Sequence, residues 1–108
     1  MKNEHLIADI PQKAIIENNG KVLLIRPINK NNWEIPGGRL HKGEAVKEGI
    51  KREIKEELGL DIEPKSIVDI FVLLEETQLN HFTVVWQSDL LNNPEDINLQ
   101  KDEIAEAK

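Results

Sequence analysis

The sequence predicts an α+β domain in which one helix packs on a mixed β-sheet, and three observations lead there. Two apolar, β-branched runs, "AII" and "KVLLI", flank Asn19-Gly20. Residues 45–58 contain no proline and space Val46, Ile50, Ile54 and Leu58 four apart. Two more apolar runs, "IVDIFVLLE" and "HFTVVWQSDL", come afterwards. Strands, a strong helix and then more strands is the order of a mixed domain rather than of an alternating parallel fold. With 108 residues the chain has room for one domain, so 1–108 is read as a single unit around one core.

Asn19-Gly20 is a hairpin signal, because both residue types tolerate the positive φ of a tight primed turn. Strands are expected near 12–18 and 21–28, followed by a polar loop, "INKNN". "WEI" reads as a short third strand with Trp33 and Ile35 on one face and Glu34 on the other. Pro36-Gly37-Gly38 is expected to stop that strand, in a turn where another group can approach the main chain. The helix spans 45–58 and ends at Gly59, the usual left-handed stop. "LDIEPKS" is a loop or short strand, "LNNPED" is a loop, and "QKDEIAEAK" either starts a helix or stays mobile.

Composition narrows the function classes. Fourteen Lys+Arg against 20 Asp+Glu give a net charge of -6, which speaks against a nucleic-acid duplex or a polybasic membrane anchor. A small anionic substrate stays open, because a bound divalent cation can invert the local field. Without cysteine there is no disulfide, thiolate nucleophile or zinc–thiolate site. No segment has the length of a signal peptide's apolar core or a membrane span, so a cytoplasmic protein is the default reading.

The chemistry lies on the helix. At 100° per residue, Gly49, Glu53, Glu56 and Glu57 share a sector about 100° wide, beside the Ile50/Ile54/Leu58 stripe. Glu53 and Glu57 form an i,i+4 like-charge pair and Glu53 and Glu56 an i,i+3 pair, each destabilising by a few tenths of a kcal/mol. A hard cation such as Mg²⁺, which takes oxygen ligands and shares them with phosphates, would relieve the repulsion. Gly49 leaves room beside the carboxylates. Arg52 can form a bidentate pair with Glu44 from the preceding loop and fasten that loop to the helix. Composition alone would favour a solvated acidic face; the joint spacing of glycines, arginine and glutamates favours the cation site.

Residues 38–60 resemble the Nudix box, G-x5-E-x7-R-E-U-x-E-E-x-G-U, where U is a bulky aliphatic. All nine specified positions agree: Gly38, Glu44, Arg52, Glu53, Ile54, Glu56, Glu57, Gly59 and Leu60. The resemblance to the Nudix hydrolase family implies a sheet carrying a catalytic helix and Mg²⁺- or Mn²⁺-dependent hydrolysis of a nucleoside diphosphate linked to another group. It implies Glu53, Glu56, Glu57 and the Gly37 carbonyl as metal ligands. Glu53 or Glu56 would be the general base, helped by a glutamate outside the box, Glu103 first and Glu106 behind it. Arg26 and Arg39 either contact phosphate oxygens or are ordinary surface cations. Trp33 and Trp86 read as packing residues rather than base-stacking ones, and His5, His41 and His81 receive no role. A non-catalytic module that binds a nucleotide or a protein is the alternative reading.

Family members usually continue into a further strand and a final helix, whereas this sequence stops at Lys108. The expectation is a shortened domain, or one whose core closes by homodimerisation, with an exposed sheet edge and an uncovered apolar face.

Overall fold

A computed structural model describes residues 4–73 and 80–100, together with the backbone of 104–107. The elements in order are β1 (Ala8–Asp9), β2 (Pro11–Asn18), β3 (Lys21–Val22), β4 (Ile25–Pro27), β5 (Gly37–Arg39), α1 (Val46–Leu58), β6 (Ile62–Leu73), β7 (Asn80–Leu90), a 3-10 turn (Pro94–Asp96) and β8 (Ile104–Ala107). One helix between strands is the expected α+β arrangement.

β7 organises the larger sheet. On one edge it pairs antiparallel with β6, from Ile62↔Leu90 to Leu73↔His81. On the other it runs parallel to β2, from Gln12↔Val84 to Glu17↔Asp89, and parallel to β1 through Ala8↔Asn80 and Asp9↔His81. β2 also pairs antiparallel with β3 and β5. Because β2 alternates faces, Gln12, Ala14 and Ile16 all point to the buried side. There Ile50, Ile54 and Leu58 of α1 pack on Ala14, Ile16, Ile62, Val84 and Trp86. The helix ends where Gly59 turns left-handed at φ 68° and donates its N–H to the Lys55 carbonyl. Asn98 and Gln100 then donate to the carbonyls of Leu58 and Glu57, satisfying acceptors that a helix end leaves open.

Several expectations need correction. The strand near 21–28 is two strands. After the rungs Glu17↔Val22 and Asn18↔Lys21 the chain leaves β2, and Ile25 exchanges two 2.8 Å backbone bonds with Glu34. "WEI" contributes only that isolated Glu34 bridge. The strand comes three residues later, at Gly37–Arg39, overlapping the Pro36–Gly38 segment expected to be a stop, because the register with Pro11–Lys13 continues there. Val46 is 43% exposed and lies outside the apolar stripe, whose buried members are Ile50, Ile54 and Leu58.

"LDIEPKS" belongs mostly to β6. The strand tolerates Pro64 because it lies at its outer edge, with the register shifting between Pro64 and Ser66. The tail is neither helical nor without structure: residues 104–107 form β8, antiparallel to β4, with Arg26 opposite Glu106. β6 leaves Ile67, Val68, Ile70, Phe71, Val72 and Leu73 exposed. Among the described residues no helix is long and apolar enough to cross a membrane.

Candidate active site

β5 lies against the middle of α1. Gly38 lies opposite Gln12, and a Cβ at Gly38 would overlap the Glu53 carboxylate. A Cβ at Gly37 would overlap the Gln12 carbonyl. Bare backbone is therefore required on both sides, and the Glu53 side chain rests directly against the strand. Gly49 has a related reason: a Cβ there would come within 2.6 Å of Leu40 Cδ1 and 2.9 Å of Glu44 Oε1. The space its missing side chain leaves is taken by the loop that carries Glu44.

Arg52 is the centre of the cluster. Its Nε donates to Glu44 Oε2 at 2.5 Å and its Nη2 to Glu44 Oε1 at 3.2 Å, a two-point clamp across eight residues. Nη1 donates at 3.0 Å both to Glu53 Oε1 and to Glu56 Oε2. Nη2 also reaches the Arg39 carbonyl at 3.3 Å, so one side chain ties the loop, β5 and the helix together. The Arg52 hydrogen bond, aided by the His41 main-chain N–H at 2.9 Å, holds the Glu44 carboxyl down at about 2. In return Glu44, and then Glu53 and Glu56, raise Arg52 above its ordinary guanidinium value. Glu57 is only 6% exposed, on the core side of the same helix, and Glu48 points to solvent with a 69% exposed side chain.

Four glutamates against one arginine leave the cluster with an excess of negative charge. Among the described residues no three Asp, Glu or His side chains form a ready-made cage for an ion. The donor chemistry nevertheless fits a hard divalent cation. Carboxylate oxygens of Glu53 and Glu56 already share one positive centre, Arg52 Nη1, and Glu57 follows Glu53 by one helical turn. The Gly37 carbonyl belongs to the strand against which Glu53 rests.

The other sequence-predicted residues are distributed unequally. The side chain of Arg39 points away from the helix and its Nε lies 2.9 Å from Asp9 Oδ2. Arg26, on β4, donates to the Lys30 carbonyl at 3.1 Å. Glu103 lies outside the described residues, and Glu106 is placed only through the backbone of β8. Trp86 is 6% exposed, as a packing residue should be. An apolar cavity of about 170 Å³ lies at the other end of β2, among Ile16, Leu23, Leu60, Leu90 and Ile97, and does not meet the carboxylates.

Three residues make contacts that the sequence reading does not assign: Gln12 and Asp9 go unmentioned there, and His81 is given no role. Gln12 is 1% exposed, accepts from Trp86 Nε1 at 2.7 Å and donates to the Val46 carbonyl at 2.9 Å. Its signal was available, since it is a polar residue at a core-facing position of an alternating strand. Asp9 and His81 meet through Oδ1 and Nδ1, joined across 72 residues, and nothing local announces that pairing.

A sequence profile described as NUDIX domain matches residues 13–108. An ADP-ribose pyrophosphatase of Methanocaldococcus jannaschii is 43% identical over 61 residues, covering 54% of this chain and 36% of that protein. Nucleoside diphosphate-linked moiety X motif 6 of Xenopus laevis is 40% identical over 76 residues, covering 68% of this chain and 33% of its own. The chain thus spans about a third of the length of these curated relatives. Among solved structures, a MutT protein from Methanosarcina mazei superposes with a TM-score of 0.78 at 28% identity, over 94% of this chain and 75% of that one. A UDP-X diphosphatase superposes with a TM-score of 0.82 at 23% identity, over 98% and 52%, a likeness of fold.

Proposed function

The chain belongs to the NUDIX family, and from that premise we propose that it is a metal-dependent pyrophosphohydrolase acting on a nucleoside diphosphate linked to another group. The observation that carries this reading is the meeting of Glu53 Oε1 and Glu56 Oε2 on one nitrogen, Arg52 Nη1, each at 3.0 Å, with Glu53 pressed on the bare backbone of Gly38. Relatives named as an ADP-ribose pyrophosphatase and an 8-oxo-dGDP phosphatase, from Homo sapiens, support a nucleoside diphosphate derivative as the substrate class.

Glu53, Glu56, Glu57 and the Gly37 carbonyl are the groups that would hold the cation. Bound there, Mg²⁺ or Mn²⁺ would neutralise the diphosphate and make water a stronger nucleophile. The chain's own groups supply the rest. Glu53 or Glu56 accepts the proton of the attacking water, with Glu103 as a further glutamate brought by the tail. Glu44 holds Arg52 in place, and Arg52 in turn limits where Glu53 and Glu56 can point. Arg39, and Arg26 from β4, contact phosphate oxygens of the bound diphosphate, in which one P–O bond of the P–O–P bridge breaks. The working compartment is the cytoplasm, and the working form a homodimer joined through the apolar surface of β6.

The test is a panel of nucleoside triphosphates, nucleotide sugars, ADP-ribose and dinucleotides, incubated with Mg²⁺ or Mn²⁺ and followed for phosphate-containing products. Turnover of at least one member is expected. Glu56→Gln and Glu57→Gln should each lower it by on the order of 100-fold or more without unfolding the protein. No turnover, with thermal stability indifferent to either metal, would overturn the reading.

A further inference from the structure

On the sheet face opposite α1, a second set of polar side chains joins three strands. His81 of β7 stands directly across from Asp9 of β1, and its Nδ1 meets Asp9 Oδ1. The other oxygen, Asp9 Oδ2, is buried without a hydrogen bond among the described residues and lies 2.9 Å from Arg39 Nε, an ion pair held by charge. His81 is 9% exposed and the Asp9 side chain 20%, whereas the Arg39 side chain is 65% exposed. A mostly buried carboxylate thus faces a buried imidazole on one side and an exposed guanidinium on the other. Burying such a pair is expensive, and a hydrophobic pair would fill the same space. An exposed arginine on a strand ordinarily samples many rotamers, but this one rests with its Nε against the Asp9 carboxylate.

We infer that Asp9 and His81 are positioning residues that aim the Arg39 guanidinium at a phosphate group of the substrate. Successive residues of a strand face opposite sides. Gly38 turns toward Glu53 and the carboxylate cluster, and Arg39 turns to the other side of β5. A diphosphate crossing the Gly37–Arg39 edge would meet the carboxylates on one side and the guanidinium on the other. The Arg39 main chain is fixed as well, by its rung with Pro11 and by the bond from Arg52 Nη2 at 3.3 Å. With Nε beside Asp9 Oδ2, the terminal nitrogens Nη1 and Nη2 make no hydrogen bond to the described residues. They form the flat edge of the fork, the edge that suits two oxygens of one phosphate. Asp9 sets the angle of that fork, and His81 sets Asp9. The inference rests on the reading of Arg39 as a phosphate contact.

The test compares Asp9→Asn, His81→Leu, His81→Asn and Arg39→Ala with the wild type, using the substrate that the panel identifies. Asp9→Asn, His81→Leu and Arg39→Ala should each raise KM about 5- to 20-fold while kcat moves less than about 2-fold. His81→Asn, which keeps a nitrogen near the Nδ1 position, should restore most of the KM. Combined with Arg39→Ala, Asp9→Asn should add nothing further, since its effect passes through that arginine. Folded Asp9→Asn and His81→Leu variants with wild-type KM would overturn the inference, as would penalties that add in full to that of Arg39→Ala. Should His81→Leu fail to fold, Asp9→Asn and its double variant decide alone. Wild-type KM in Arg39→Ala removes the phosphate role of Arg39, and this inference with it, while leaving the hydrolase standing. A wild type without any turnover sinks the hydrolase instead. The variants are then titrated calorimetrically with ADP and Mg²⁺, where equal losses of affinity in Asp9→Asn and Arg39→Ala support the positioning and unchanged affinity in Asp9→Asn overturns it.

Discussion

Trp86 and Gln12 meet in the core: the indole Nε1 donates to Gln12 Oε1 at 2.7 Å, and the Gln12 amide passes the connection to the Val46 carbonyl at 2.9 Å. A single buried amide thereby links the central strand of the sheet to the first turn of the helix that carries the glutamates. Replacing it with leucine leaves the buried indole N–H without a partner and takes a second bond from the Val46 carbonyl, so Gln12→Leu should lose about 1–3 kcal/mol of stability. Urea denaturation measures this, and an unchanged midpoint would mean that water or repacking serves the indole.

Glu44 makes the stability of the metal-free protein depend on acid. Its carboxyl titrates at about 2 in the fold against an ordinary 4.5, so the folded state favours the ionised form. A depressed value contributes stability that is fully present above about 4.5 and drains away as the pH falls toward about 2. The wild type should therefore be more stable than Glu44→Gln at pH 7 in EDTA, and the gap should close through that window. Urea midpoints taken at several pH values in EDTA give the comparison; a gap independent of pH would show that Arg52 does not favour the Glu44 anion.

Gly38→Ala separates packing from function. The added methyl collides with the end of the Glu53 side chain, a group able to swing aside. Stability should fall by less than about 1 kcal/mol, because no backbone has to move. Turnover should fall by on the order of 100-fold, since a displacement of about 1 Å in a reacting group is enough for that. A variant with wild-type kcat would mean that Glu53 works from another position.

The exposed apolar side chains of β6 bear on association. Ile70 and Val72 lie on one face of that strand, 50% and 42% exposed. The wild type is expected to form dimers at micromolar concentration, and Ile70→Lys to shift it to monomers. Light scattering coupled to size exclusion reads both, and a monomeric wild type would count against the association.

What could be read from the sequence was what local spacing encodes. Glu53, Glu56 and Glu57 share a helical face through i,i+3 and i,i+4 spacing, and Gly59 marks the helix end whatever the rest of the chain does. Gly37–Arg39 was misread for a physical reason. Pro-Gly-Gly breaks structure locally, yet the strand forms because β2 offers it a ladder. The register of β2 with β7 was out of reach, as was the Asp9–His81 pair, because partners more than seventy residues apart leave no periodic trace. Gln12 was the missed clue that was legible, a polar residue in a row of inward-facing apolar ones.

The parallel pairing of β2 with β7 also dictates an order of events during folding. The Gln12–Trp86 bond closes a loop of 74 residues, and the entropy of that closure is met only when the last long strand arrives. Until residue 86 has left the ribosome, α1 has no complete sheet on which to lie, however well its own turns form. The glutamates can thus be on a helix early while the working arrangement of β5, α1 and the opposite sheet face waits for β7. A nascent chain stalled before that strand would carry every residue of the Nudix box and no assembled site.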